Sequence, residues 1–140
     1  MAVSEGYVIE YLLRETEAGP ANVEWLEGEA GGYSTTFNLV RLQLYSVQSM
    51  SGVRLCLEFG LGHDTVYIQE PCKVAIFGRQ YRNEDEERVA ELLHLLSAAV
   101  ARQVRQRHEE AMAMETEIRE SIFRRLLFGA PGDAGLDAGR

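Results

Sequence analysis

The last third of the chain carries the longest regular pattern of apolar and polar positions. Between residues 83 and 128 there is no proline or glycine, and apolar residues recur every three or four positions. This spacing is typical of an amphipathic α-helix. Asn83 is a favourable N-cap, acidic residues follow it in the first turn, and Gly129 is a favourable stop. We therefore predict one long helix over about residues 83–128.

The apolar stripe of this helix has two parts, separated by a polar stretch between residues 105 and 110. The sequence leaves open whether the helix breaks there, because no proline or glycine marks a kink. The first part consists of Val89, Leu92, Leu93, Leu96, Val100 and Val104. The second part consists of Ala111, Met114, Ile118, Ile122 and Leu126, with Phe123 beside it. One thin sheet cannot cover both parts, so we expect the first to cover the sheet and the second to need another partner.

Upstream of the helix, apolar and polar residues alternate with the period of two that is typical of β-strands. The pattern is clearest over residues 53–59 and recurs over residues 37–47, 65–69 and 73–77. Turn residues separate these segments. The inward positions are Val40, Leu42, Leu44, Val53, Leu55, Leu57, Phe59, Val66 and Ile68. Because the connections are short, we predict an antiparallel β-meander of about four to six strands.

The N-terminal region gives a weaker signal. Residues 7–13 form a short apolar run that fits a strand or a helix, and their aromatic and β-branched residues favour a strand. Residues 23–26 fit a second short strand anchored by Trp25. Residues 130–140 have the composition of a disordered tail. The prediction is an α+β fold, with one domain over residues 1–129, its sheet over about 7–78 and its helix over about 83–128.

Amino-acid composition and net charge argue against several classes of protein. The 140 residues include 22 acidic and 14 basic ones, and the net charge of −8 argues against general binding to duplex DNA. Cys56 and Cys72 lack the spacing of a disulfide framework or a metal site. No apolar run is long enough to span a bilayer, and no N-terminal secretory signal is visible. We expect a cytoplasmic protein without a membrane partner.

Residues suited to catalysis or metal binding do not form a recognisable motif. His63 and Asp64 are adjacent in a glycine-flanked turn, where neighbouring side chains rarely point at one site. His94 and His108 lie too far apart along the helix to share a metal ion. The acidic run over residues 84–87 is typical of a first helical turn. We predict no cofactor and no metal, and an enzyme remains the third functional hypothesis.

The second part of the helix leads to the first hypothesis, a non-enzymatic interaction or adaptor protein that acts as a homodimer. Two alternatives are a helical hairpin within one chain, which would also cover this stripe, and docking of the stripe on another protein. The predicted dimer interface consists of Ala111, Met114, Ile118, Ile122, Phe123 and Leu126.

The sheet leads to the second hypothesis, binding of single-stranded nucleic acid. Aromatic rings beside cations on a sheet face bind such strands by stacking and phosphate contacts. A slip of one residue in strand register would scatter the set, so the assignment depends on the pairing. By alternation, the face opposite the core includes Arg41, Tyr45, Arg54, Tyr67 and Lys73.

Overall fold

The structure, a computed structural model, describes residues 2–28, 31–50 and 52–129. It confirms an α+β fold with a five-stranded antiparallel meander, a separate two-stranded sheet and a long C-terminal helix. The predicted tail over residues 130–140 lies outside the described residues. In chain order the elements are α1 (Glu5–Ala18), β1 (Leu26–Glu27), β2 (Tyr33–Phe37), β3 (Val40–Ser49), β4 (Gly52–Leu61), β5 (Asp64–Gln69), β6 (Val74–Ile76), β7 (Arg79–Tyr81) and α2 (Glu84–Phe128).

Strands β1 to β5 lie side by side in chain order, and each neighbouring pair is antiparallel. Leu44 lies opposite Leu57, and Leu57 lies opposite Ile68. The inward positions that alternation predicted therefore line up across the central strands. Val53 in β4 and Val66 in β5 are nevertheless 61% and 62% exposed.

The strand predicted over residues 37–47 is interrupted by a tight turn. Phe37 ends β2 and Val40 begins β3. Between them, Asn38 and Leu39 have φ angles of +52° and +67°. Two successive residues at positive φ are what a type I′ hairpin turn requires. The prediction of a single strand over residues 37–47 was therefore wrong. Leucine is uncommon at such turn positions, so Leu39 did not indicate a turn, and the alternation appeared to continue through it.

The strand predicted over residues 73–77 does not extend the meander. Within it, Val74–Ile76 (β6) pairs with β7 in the separate two-stranded sheet, through a turn at Phe77 and Gly78. Lys73 lies in the connection before β6. This placement was wrong because a short alternating segment does not reveal which strand it pairs with.

The N-terminal segment is a helix, so the strand favoured for residues 7–13 was wrong. Ser4 caps α1, and its Oγ accepts a hydrogen bond from Tyr7 N at 3.2 Å. Ile9, Leu12 and Thr16 are the buried residues of α1, at helical spacing. Residues 7–13 alone are too few to show this period. The strand predicted over residues 23–26 is also reduced, since β1 includes only its last residue.

The core of the first part of the chain lies between the sheet and the two helices that cover it. Trp25 is fully buried, and its Nε1 donates to Thr16 Oγ1 at 3.0 Å. Gln103 links α2 to this region, because its Oε1 accepts from Trp25 N at 2.7 Å and its Nε2 donates to Val23 O at 2.8 Å. The first part of the α2 stripe covers the sheet, as predicted. The buried cluster consists of Ile9, Leu12, Val23, Trp25, Leu42, Leu44, Leu57, Ile68, Leu92, Leu93, Leu96, Val100 and Val104.

Helix α2 is continuous over its 45 residues. Asn83 Oδ1 accepts from Glu86 N at 2.8 Å and Glu86 Oε1 accepts from Asn83 N at 3.1 Å, which is a capping box. The helix continues through residues 105–110, where the sequence left open a break. The chain divides into two compact units, one ending at Val104 and one beginning at Arg105. Within the described ranges, neither helix combines the length and apolar character needed to cross a membrane.

Candidate functional site

The second unit presents an apolar surface that no described residue covers. From His108 to Phe128 every side chain of α2 is exposed. Leu127 and Phe128, at the end of the helix, are 70% and 79% exposed. All six residues of the predicted dimer interface are therefore accessible in the single chain. We call them the apolar helix face; it consists of Ala111, Met114, Ile118, Ile122, Phe123 and Leu126.

The charges beside the apolar helix face balance one another. Residues 105–128 contain five arginines and five glutamates, which gives a net charge of zero with histidine neutral. Arg124 pairs with Glu120 at 3.7 Å, and the Arg119 guanidinium lies 5.5 Å from the centre of the Phe123 ring. Two copies of this segment would therefore meet without the net repulsion that the acidic chain as a whole carries.

The outer face of the sheet brings together most of the predicted nucleic-acid set. Tyr45 lies opposite Cys56, Val47 opposite Arg54, and Glu58 opposite Tyr67. With the alternation along each strand, this register puts four of the five residues on one face. Lys73 is the exception, since it precedes β6 outside this sheet. The four that share the face are Arg41, Tyr45, Arg54 and Tyr67.

The polar groups of this face already bind one another or the backbone. Arg41 Nη2 donates to Gly62 O at 2.9 Å, and Arg54 Nε donates to Glu70 O at 2.8 Å. The Tyr45 hydroxyl donates to Glu58 Oε1 at 3.1 Å. These bonds hold the two guanidinium groups against the sheet, and Glu58 adds a negative charge between the rings.

On this face the half-buried Tyr45 lies beside the buried Cys56. Cys56 is 1% exposed and lies opposite Tyr45 across β3 and β4. A hydrogen bond with the Cys56 side chain, burial and the nearby Glu58 carboxylate raise the pKa of the Tyr45 phenol above its ordinary value of 10.0. The phenol therefore stays neutral and acts as a hydrogen-bond donor rather than as a base.

Glu70, at the end of β5, is the centre of a buried polar cluster that the sequence did not reveal. Its Oε1 accepts from Leu55 N at 3.0 Å and lies 3.1 Å from His94 Nε2, while its Oε2 lies 3.0 Å from Arg82 Nη2. Burial alone raises the pKa of this carboxyl, but the Leu55 hydrogen bond, His94 and Arg82 outweigh burial, and the pKa falls below its ordinary value. The cluster ties β4, β5 and α2 together, which is a structural role.

A pocket of about 440 Å³ lies where the start of α1 meets β3, β4 and β5. Glu5 and Asp64 contribute carboxylates to its lining, and none of its described lining residues is basic. We call it the β5 pocket; its apolar lining consists of Val3, Val8, Val40, Phe59, Leu61, Val66 and Ile68. Sequence reasoning missed the pocket because it placed a strand where α1 lies.

The histidines and acidic residues do not form a metal site in the described ranges. No group of three or more His, Cys, Asp or Glu side chains there is arranged to hold an ion. His63 lies in the turn between β4 and β5, as predicted, and Asp64 begins β5. His94 contacts Glu70, and His108 is exposed on the second unit.

Comparisons with known protein families, with curated proteins and with solved structures find no match to this chain.

Proposed function

We propose that this chain is a non-enzymatic, cytoplasmic interaction protein that acts as a homodimer through the apolar helix face. The observation that carries the proposal is the exposure of large apolar side chains over residues 108–128, such as Ile118 at 54% and Ile122 at 59%. Single chains rarely expose contiguous apolar patches of more than a few hundred Å² without a partner for them.

The stability of the helix supports the same proposal. Residues 105–128 extend α2 beyond the first unit. Most of the stability of such helices comes from packing an amphipathic face. A second copy supplies an identical apolar stripe at the same spacing, and the balanced charges of the segment do not oppose the pairing.

Paired substitutions test the proposal. Ile118→Asp with Ile122→Asp puts four carboxylates into the proposed dimer, and at about 1.5 kcal/mol for each lost isoleucine the affinity should fall by a factor of about 10⁴. The matched control, Gln106→Asp with Ala113→Asp, makes the same change of charge on the opposite side of the helix. Sedimentation velocity should show a dimer for the wild type and the control and a monomer for the variant.

Two results would contradict the proposal. One is a wild-type chain that stays monomeric up to about 100 µM, a concentration at which even a weak dimer forms. The other is a control that dissociates as completely as the variant, since this would make the added charge, and not the apolar helix face, the cause. Circular dichroism of each variant establishes that the helix is retained.

Binding of single-stranded nucleic acid is the second candidate function. Its support is the register, which gives Arg41, Tyr45, Arg54 and Tyr67 a common face. It ranks second because the guanidinium groups already bind backbone carbonyls and the chain is acidic. A labelled oligonucleotide should then bind at low salt and be released by Arg54→Ala with Tyr67→Ala. Absence of binding at low salt would remove this candidate.

A further inference from the structure

The β5 pocket is too open to enclose a small molecule. Val3, Leu61 and Val66 line it and are 68%, 57% and 62% exposed. Ligand pockets for small molecules typically bury about 70–90% of the ligand surface. A pocket with such exposed walls is better suited to one apolar side chain that a larger partner inserts from outside.

The strand beside the pocket is an edge that lacks the usual protection. β5 pairs with β4 on one side, and no described strand pairs with its other side. Of its six residues, all but Ile68 are exposed. Edge strands are commonly protected from pairing by lysine, proline or a bulge, and β5 contains neither lysine nor proline. Its outer edge is therefore available to a further strand.

The pocket and the edge are arranged for one kind of partner. Val66 and Ile68 line the pocket, whereas Tyr67 between them lies on the outer face. Because side chains alternate along a strand, a segment added to β5 would direct every second side chain towards the pocket. Glu5 and Asp64 are the charged residues of the lining, so a basic residue at an inward position next to the inserted apolar side chain would be attracted.

We infer that β5 and its pocket bind an extended segment of another protein, in which every second side chain faces the pocket and these side chains are apolar except for one lysine or arginine. The segment adds a strand to the sheet and inserts one apolar side chain into the pocket. All of the residues involved belong to the unit that ends at Val104, so the inference does not depend on dimerisation through the apolar helix face.

A synthetic peptide provides the probe. A fluorescein-labelled nonapeptide with isoleucine and one lysine at every second position, and threonine between them, should bind the full chain saturably in fluorescence anisotropy. Val66→Lys fills the mouth of the pocket and repels the peptide, and it should weaken binding about tenfold or more. The matched control, Tyr67→Lys, makes the same change of charge on the outer face of the same strand and should weaken it less than about threefold.

Altered peptides test the two parts of the inference separately. N-methylation of the backbone groups that face β5 should abolish binding, because the added strand can no longer form its hydrogen bonds. Replacement of lysine by glutamate should weaken binding about tenfold at low salt. If circular dichroism shows that Val66→Lys does not fold, binding of these altered peptides to the wild-type chain still tests the inference.

Several outcomes would overturn the inference. They are the absence of saturable binding, equal losses of affinity in the two lysine variants, and undiminished binding of the N-methylated peptide.

Binding of decanoate that depends on Val66, without binding of the nonapeptide, would assign the pocket to a small apolar ligand instead. If a peptide of residues 111–128 competes with the nonapeptide, and this competition depends on Val66, the pocket would be assigned to a second copy of this chain. The Ile118→Asp, Ile122→Asp protein should bind the nonapeptide as the wild type does, which separates this test from that of the dimer.

Discussion

Glu70 offers the sharpest test of how the first unit is held together. Its side chain is 9% exposed, and that of its partner Arg82 is 12% exposed. Glu70→Gln preserves the shape of the side chain but removes its charge, and it turns one hydrogen-bond acceptor into a donor. Leu55 N and Arg82 Nη2, both 3.0 Å from the carboxylate, then lose a charged acceptor.

The size of the effect follows from these contacts. A hydrogen bond to a charged group contributes about 1.5–3 kcal/mol, and removal of one partner of a buried ion pair costs about 3–5 kcal/mol. The contact with His94, whose side chain is 61% exposed, adds little because solvent screens it. We expect Glu70→Gln to lower the free energy of unfolding by about 3 kcal/mol, and the Tm by about 12 °C or more.

The pH dependence gives an independent check on the same group. The pKa of the Glu70 carboxyl is lower in the folded chain than its ordinary value of 4.5. Its stabilising contribution is therefore complete above pH 4.5 and is lost as the pH falls through the folded pKa. The wild type should lose stability steeply below this pH, and Glu70→Gln should show a shallower loss.

Urea unfolding, followed by the fluorescence of the single tryptophan, measures both effects. Trp25 is fully buried, so its emission reports on the unit that contains Glu70. The matched control is Glu58→Gln, whose carboxylate accepts one hydrogen bond from Tyr45 and which should cost less than about 1.5 kcal/mol. A Glu70→Gln variant within about 0.5 kcal/mol of the wild type, or with a parallel pH profile, would contradict this stabilising role of Glu70.

Three further substitutions are predicted for the same unfolding assay. Gln103→Leu should cost about 2 kcal/mol, because Trp25 N loses its acceptor; a neutral result would mean that water replaces the amide. Leu39→Gly should stabilise the chain by up to about 1 kcal/mol, because glycine adopts φ +67° without strain; a loss of stability would show that the exposed leucine makes a contact of value. Gly32→Ala should cost about 1–3 kcal/mol, because the new Cβ would lie 2.7 Å from Leu44 O; an unchanged midpoint would show that the backbone shifts freely there.

Long periodic patterns were the part of the fold that the sequence could predict. Helix α2 begins after Asn83 as its capping residues indicate, and each part of its apolar stripe repeats over several turns. The register of β3, β4 and β5 also agrees with the alternation, and Leu44, Leu57 and Ile68 meet across these strands in the core. A pattern that repeats several times against one core is hard to misplace.

The errors occurred where local patterns were short or ambiguous. Residues 7–13 contain β-branched and aromatic residues, yet they form part of α1, because burial at helical spacing outweighs such local propensity. Leu39 occupies a turn position that asparagine or glycine would have revealed. The Glu70 cluster joins residues that are distant in sequence, and the β5 pocket depends on where α1 lies, so periodicity could predict neither.

The two cysteines differ in exposure, and this difference allows thiol labelling to measure the opening of the sheet. Neither forms a disulfide; Cys72 is exposed, whereas Cys56 is buried in the sheet beneath Tyr45. A thiol reagent should therefore modify Cys72 at once and Cys56 only when the strands around it separate. The slow phase of labelling then measures the free energy of that opening under native conditions, without denaturant. A fluorophore attached in the fast phase alone would mark each molecule at a single known position.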